Sequence, residues 1–262
     1  MWIDSSTQAF ITAKRLSSSI NDRMITVYDL GPCRIPGVQG FSGSARTVIY
    51  ILKYKGIPFT VSLVDWATLE PTAKSIGAPP TLNKPGNPKY AVPFIHDTTT
   101  GRSISHSFNI AEYLEATYPD TPRVFPEGTR VLQVAFCELL RQKLGNLILA
   151  IWPSARDLLT PEFEESFKKN YGHLELMPPL TPEETEVLWK RGEKGYDELA
   201  QGYREGQLFV MGDEPVFADF GLAGEVWACL IAFEKGSDGW KRLSGLMGGR
   251  WGRLMEYMEK LD

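Results

Sequence analysis

The chain has 262 residues, of which 43% are hydrophobic, 11% aromatic and 23% charged, and its formal net charge is −4. These fractions are ordinary for a globular protein with a sizeable core, and a mildly acidic chain without a Lys/Arg block is poorly suited to gripping the phosphates of nucleic acid. The longest unbroken apolar run, 226–233, is too short to span a bilayer as a helix.

Residues 1–23 precede the first regular pattern and are rich in serine. Their apolar positions could share a helical face, as in a mitochondrial presequence, whereas Asp4 and Asp22 argue against one. We expect a docked or flexible arm rather than a targeting segment.

From residue 24 to about 120, strand and helix patterns alternate in the order β-α-β-α-β-β-α. The predicted strands are 24–28, 59–64, 92–97 and 102–105. The predicted helices begin just after 42, lie around 69–76 and span 107–118. Because a helix connects the first two strands, they are expected to be parallel, whereas the last two form a hairpin.

The second half has only helical patterns. One apolar stripe runs from Leu132 to Ile151, a second runs from Trp240 to Leu261, and Thr160-Pro161 and Thr181-Pro182 are typical helix starts. An α/β half followed by an all-helical half predicts two domains, 24–120 and 121–262.

A proline inside a predicted strand is the first candidate for a binding function. If the Val92–Pro93 bond is cis, the backbone N–H and C=O of Val92 turn outward and can pair with a peptide-like ligand. The alternative is an ordinary proline on an edge strand.

Serines at two predicted helix starts are the next candidates. Ser107 offers a hydroxyl and free backbone N–H groups at the positive end of a helix dipole, which suits a carboxylate. Ser42 and Ser44 open the first helix, where the same features can hold a thiolate. In each case the alternative is a plain N-cap.

The cysteines and histidines are few and scattered. The chain has three cysteines, Cys33, Cys137 and Cys229. Their number does not suit a disulfide scaffold and their spacing does not suit a zinc site, so they indicate a reduced, cytoplasmic protein. Cys33 lies in the loop before Ser42 and is a possible redox thiol, although no second cysteine completes the motif. The other two fall in apolar stripes and are expected in the core, and His96, His106 and His173 predict no metal site.

Together these segments resemble the glutathione transferase superfamily, with an α/β thioredoxin-like N-terminal domain and an all-α C-terminal domain. Val92-Pro93 before Phe94-Ile95 resembles the cis-proline segment of that family, and 107–114 resembles the segment that binds the γ-glutamyl end of glutathione. Further stretches resemble the fungal etherase-related, or Fua-type, class, namely Phe41-Ser42, 55–59, 76–79, 118–122 and 240–243.

The resemblance implies a role for each matching residue. Ser42 occupies the position of the serine that activates the thiol in this class. Val92 occupies the position whose backbone pairs with the cysteine of glutathione. Ser107 occupies the position that binds the γ-glutamate. Ser44 stands near the position of an amide in the class, and His106 replaces the acid that usually precedes the serine. Asp219 is expected to be a structural cap, since Val216 replaces the usual Ser/Thr.

The resemblance also implies an enzyme that uses glutathione as co-substrate and needs no metal. Its thiolate would attack an apolar, aromatic or polyphenol-like electrophile between the domains, lined by Phe41, Phe136 and Trp152, in a conjugation or an ether cleavage. The alternatives are a glutathione-dependent isomerase of a biosynthetic pathway, a non-catalytic binder of aromatic metabolites, and a thioltransferase acting through Cys33. A homodimer is expected, with no nucleic-acid or membrane partner.

Overall fold

A computed structural model of the protein describes residues 24–35, 37–81, 89–156, 159–171 and 180–261. The predicted arm at 1–23 and His173 lie outside these residues.

The N-terminal half contains four strands and three helices in the predicted order. They are β1 (Ile25–Leu30), α1 (Gly43–Tyr54), β2 (Phe59–Val64), α2 (Leu69–Ser75), β3 (Phe94–Asp97), β4 (Arg102–Ser105) and α3 (Ser107–Thr117). The prediction for β3 was two residues too long, because the ladder begins only at Phe94 and leaves Val92 and Pro93 in the preceding loop. Proline has no N–H to give to a ladder, so a strand that begins after it loses nothing.

The sheet has the strand order β2-β1-β3-β4. β1 and β2 are parallel, as predicted, with Ile25 opposite Phe59, while β3 runs antiparallel to both of its neighbours. Ile25, Val27 and Ile95 belong to the same apolar core as the buried sides of α1 and α3. Leu30, Phe94 and Val64 pack in a second core with α2, so both faces of the sheet are covered.

The C-terminal half is helical. Its elements are α4 (Arg130–Arg156), α5 (Pro161–Tyr171), α6 (Pro182–Ala200), α7 (Phe217–Leu230), α8 (Asp238–Ser244) and α9 (Leu246–Glu259). The predicted cap at Thr181 is confirmed, because its hydroxyl accepts from Glu184 N while the Glu184 carboxylate accepts from Thr181 N. No helix in the described part of the chain is long and apolar enough to cross a membrane.

The last predicted stripe forms two helices rather than one. Ser237 caps α8, and the backbone of Met247, Gly248 and Gly249 is left-handed at the start of α9. Glycine adopts such angles without steric cost, so two consecutive glycines allow the chain to redirect there.

The two halves meet where α1 lies against α7. A Cβ on Gly224 of α7 would stand 2.3 Å from the carbonyl oxygen of Gly43 and 2.4 Å from the hydroxyl oxygen of Thr47. Only a glycine lets the two backbones approach this closely. The contact fixes the start of α1 against the helical half.

Candidate functional site

The loop before β3 is the first part of the site. The Val92–Pro93 peptide is cis, and the Pro93 carbonyl accepts a hydrogen bond from His106 N at 3.0 Å. Within the described residues, neither the N–H nor the C=O of Val92 has a partner. The loop is therefore tied to the start of α3 and leaves one extended backbone edge for a ligand.

His106, and not Ser107, is the N-cap of α3. Its Nδ1 accepts from Phe108 N at 3.3 Å, and its backbone has the rare φ of 79°. Ser107 becomes the first residue of the helix, so the interpretation of Ser107 as a plain cap was wrong. In the described part of the chain the Ser107 hydroxyl has no protein partner, and it stands at the positive end of α3.

The protonation of His106 decides what it can bind. Burial, with a smaller contribution from Arg141, lowers its pKa below the ordinary 6.5, so the ring is neutral at pH 7. Because Nδ1 accepts a hydrogen bond, the proton of the neutral ring lies on Nε2. The ring thus offers a donor, which suits a carboxylate beside Ser107 and not an ammonium group.

Ser42 is the N-cap of α1. Its hydroxyl oxygen accepts from Ala45 N at 3.3 Å, and its own N–H donates to the Asp29 carboxylate at 3.1 Å. No acceptor in the described part of the chain takes the Ser42 hydroxyl proton. That proton is therefore available to a sulfur atom at the start of α1.

Asp29 holds this loop from inside the protein. Its Oδ1 accepts from Leu30 N at 2.7 Å as well as from Ser42 N, while Oδ2 is buried without a partner. A Cβ on Gly40 would stand 2.1 Å from Oδ2, so the loop can pass over the carboxylate only with glycine there. Burial raises the pKa of Asp29 to about 6, although the two backbone hydrogen bonds oppose the increase.

The raised pKa predicts how Asp29 affects stability. In the folded protein the carboxyl keeps its proton up to about pH 6, whereas its ordinary pKa is 3.8. Stability from this group is therefore full only below pH 3.8 and is lost as the pH rises through about 6, by about 3 kcal/mol in all. Asp29→Asn keeps the acceptor and cannot ionise. In urea unfolding, the variant should gain stability relative to wild type between pH 4 and 6, and a constant difference would contradict the assignment.

Ser44 has a different partner from Ser42. Its hydroxyl donates to the carboxylate of Glu225 on α7, at the long distance of 3.5 Å. The Ser44 proton therefore points toward α7 and not toward a sulfur at the cap.

A cavity of about 370 Å³ lies between the halves, next to these groups. It brings together Ser44 and Thr47 of α1, the His106–Phe108 start of α3, and side chains of α4, α6 and α7. Its walls include Arg130, Val134, Cys137, Glu138, Leu140, Arg141, Tyr196, Phe217, Gly221, Leu222 and Glu225. A volume of this size suits a small organic molecule.

Phe41 and Phe136, two of the predicted lining residues, are not among the residues that line this cavity. Phe41 packs edge-on against Phe163 of α5, with 5.1 Å between ring centroids, and Phe136 packs at the margin of the larger core. Trp152 lies on α4, but its side chain is outside the described part of the chain. Sequence periodicity placed Phe136 on an apolar face without showing whether that face meets the core or a cavity.

The remaining candidates have structural surroundings. Cys33 Sγ donates to Val38 O at 3.5 Å, and Cys229 is buried as predicted. Cys137 packs against the larger core, as expected, and it also lines the cavity, while burial raises its pKa to about 12, which keeps it a thiol. Asp219 is the expected structural group, since its carboxylate accepts from Val216 N and Val210 N.

Arg46 has a packing role that the sequence did not predict. Its guanidinium lies 3.7 Å from the ring centroid of Trp227 on α7, a cation–π contact between the two halves. It thus adds a second contact between α1 and α7.

Sequence reasoning also missed Tyr196 and Glu225. A signal existed for Glu225, because it is one of two charged residues in the otherwise apolar helix 217–230, and a charge in a buried stripe often marks a site. Tyr196 lies among ordinary helix positions, and nothing local distinguishes it.

The fold and these helix starts define a class of protein. Half of the chain, 131–261, matches the family described as "Glutathione S-transferase, C-terminal domain", and 41–117 match "Glutathione S-transferase, N-terminal domain". The chain therefore belongs to the glutathione S-transferase family, and the predicted fold class is confirmed.

Individual relatives are fungal. The glutathione S-transferase-like protein ustS of Aspergillus flavus is 29% identical over 205 residues, which cover 71% of this chain and 73% of that protein. Glutathione transferase GSTFuA3 from Phanerochaete chrysosporium is 31% identical, with a TM-score of 0.82, over 91% of this chain and 97% of its own. CsGST63524 of Ceriporiopsis subvermispora, solved in complex with glutathione, is 30% identical with the same TM-score and coverage. These matches confirm the resemblance to the Fua-type class.

Proposed function

We propose that the protein binds glutathione and activates its thiol for attack on an apolar, aromatic or polyphenol-like electrophile in the cavity between the halves. One observation carries the proposal. The unpaired backbone of Val92, the free hydroxyl of Ser107 and the free proton of Ser42 follow or precede strand ends that lie at the same end of the sheet, where β1 and β4 end and β3 begins. Ser107 also lines the cavity.

The glutamyl end of glutathione would lie at the start of α3. Its carboxylate would accept hydrogen bonds from the Ser107 hydroxyl and from Nε2 of His106, at the positive end of the helix. The ammonium group needs an acid, which His106 cannot supply. Glu138 of α4 lines the same cavity and would supply it, although it also pairs with Arg141 at 2.5 Å.

The cysteine of glutathione would pair with the backbone of Val92, and its sulfur would lie near the start of α1. There the Ser42 hydroxyl donates to the sulfur, and the helix dipole favours the thiolate. The thiolate forms a bond to an electrophilic carbon of the co-substrate, and that carbon either releases its leaving group or passes charge into a conjugated system.

Two other functions use the same site. A glutathione-dependent isomerase would add the thiol to an activated double bond and release it after rotation. A non-catalytic binder would hold aromatic metabolites without turnover, and the replacement of the usual acid by His106 is the observation that motivates this alternative. The surroundings of Cys33 contain no second cysteine among the described residues, so they give a thioltransferase no support.

We place the protein in the cytoplasm, where glutathione and free cysteines stay reduced. A homodimer is also part of the proposal. Val131 and Leu132 on α4 are 71% and 66% exposed, and a second copy would cover them.

Glutathione consumption separates the candidates. Wild-type protein is assayed with an aryl halide, an aryl ether and a cis-enone, and both thiol loss and product are followed. Thiol loss supports conjugation or ether cleavage, and cis-to-trans conversion without thiol loss supports an isomerase. No turnover together with saturable binding of an aromatic ligand would contradict the transferase and favour the binder.

A further inference from the structure

Tyr196 has a hydroxyl that the fold leaves without a partner. The side chain is fully buried on α6, it lines the cavity, and no hydrogen bond reaches its oxygen within the described part of the chain. Its ring packs edge-on against Trp251, with 4.3 Å between centroids, which holds it in place. Buried hydroxyl groups are nearly always hydrogen-bonded. The described residues supply no partner for this hydroxyl, so a bound ligand is expected to supply one.

Glu225 provides an acceptor near that hydroxyl. It lines the same cavity from α7, and its charge raises the pKa of Tyr196 further, after the larger effect of burial. The hydrogen bond from Ser44 to its carboxylate is at the limiting distance of 3.5 Å. A carboxylate accepts up to about four hydrogen bonds, so Glu225 retains acceptor capacity.

The cavity walls are largely apolar and partly aromatic, although Arg130, Glu138 and Arg141 also line them. Phe108 and Phe217 meet edge-on, with ring centroids 5.3 Å apart, and Leu140 and Leu222 add aliphatic surface. These walls favour a flat apolar body over a charged or strongly polar one.

From this arrangement we infer that Tyr196 and Glu225 form a subsite for a hydroxyl group carried by a planar aromatic co-substrate. The Tyr196 hydroxyl donates to the ligand oxygen, and the ligand hydroxyl donates to the Glu225 carboxylate. The oxygen of a hydroxyl group can both accept from Tyr196 and donate to Glu225, whereas a methyl ether can only accept and gives Glu225 no hydrogen bond beyond the long one from Ser44. The inference rests on the proposed function only in naming the occupant a co-substrate.

The test compares binding of 2-naphthol with binding of 2-methoxynaphthalene, both followed by fluorescence titration of the whole protein. Wild type should prefer the naphthol by roughly tenfold or more, because a site built around a hydroxyl leaves its own polar groups unpaired with the ether. Tyr196→Phe should weaken binding of both probes by a similar factor of about fivefold, because the oxygen of either probe accepts from the Tyr196 hydroxyl, and it should keep most of the preference. Glu225→Gln should reduce the preference to below about threefold, because the neutral amide oxygen accepts more weakly from the naphthol hydroxyl than the carboxylate does.

Tyr203→Phe is the control, because Tyr203 is a half-buried tyrosine just beyond α6 that is not among the residues lining the cavity, so its variant should bind both probes with wild-type affinity. It should retain the wild-type preference. The inference is overturned by a wild type that binds neither probe or shows no preference, by a Glu225→Gln variant that keeps the full preference, or by a Tyr196→Phe variant that binds both probes as tightly as wild type. A parallel glutathione titration separates the two proposals. Glutathione binding without the preference overturns only the subsite, and the preference without glutathione binding supports the subsite and contradicts the transferase.

Discussion

Gly224→Ala is expected to lower the free energy of unfolding by about 3 kcal/mol, because the new methyl group overpacks the contact between α1 and α7. The added carbon would stand 2.3 Å from one backbone oxygen of α1, which cannot move aside as a flexible side chain can. The helices must separate, and the start of α1 must shift with them. We therefore expect a loss of activity larger than the loss of folded protein, measured by urea unfolding and by turnover of the folded fraction.

Gly145→Ala is the matched control for that change. Gly145 is also a helical glycine, on α4, and an added Cβ there meets nothing within 4 Å. Alanine is the better helix former, so this variant should be more stable by up to about 1 kcal/mol. Equal effects of the two substitutions would show that helix propensity, and not the close approach of α1 and α7, decides the outcome.

Ser42→Ala is expected to raise the pKa of the bound glutathione thiol by about one to two units, since it removes a hydrogen bond to the thiolate. At pH 6.5 the turnover rate should fall by roughly 10- to 100-fold, and much of it should return at higher pH. Ser42→Ala also removes a helix cap, so stability should fall by about 1 kcal/mol. The thiol pKa is read from the thiolate absorbance of the complex.

Ser44→Ala tests which of the two serines contacts the thiol, a choice that the sequence left open. The Ser44 proton points to Glu225, so its loss should leave the thiol pKa within a few tenths of a unit of the wild-type value, which is well below the effect of one charge-assisted hydrogen bond. If Ser44→Ala and not Ser42→Ala raises the thiol pKa, the assignment of the two serines is reversed.

The order of elements was predictable because local rules determine it. Alternating apolar residues, Pro/Gly loops and capping sequences such as Thr181–Glu184 act within a few residues. Parallel pairing of β1 and β2 followed from the helix between them. The break at Met247 was missed because an apolar stripe records which residues face the core, not whether the backbone stays helical between them.

The site was predictable only in part. Groups that depend on neighbouring residues in the sequence could be predicted, whereas groups that depend on residues distant in the sequence could not. Ser42 and Ser107 are helix starts, so their free groups follow from local structure. His106 became the cap of α3 through its positive φ and its bond to Pro93, and neither has a local signature. Tyr196 and Glu225 line one cavity only because of how α6 and α7 are placed around it, and no periodicity along the chain records that arrangement.

Binding of glutathione at the two helix starts is the central claim, and a calorimetric titration at pH 7 tests it most directly. Glutathione and cysteinylglycine, which lacks the glutamyl residue, are each titrated into wild type and Ser107→Ala. Wild type should bind glutathione at least about tenfold more tightly than the dipeptide, and Ser107→Ala should remove most of that difference without weakening the dipeptide. Equal affinities for the two peptides in wild type, or no binding of glutathione, would contradict the account.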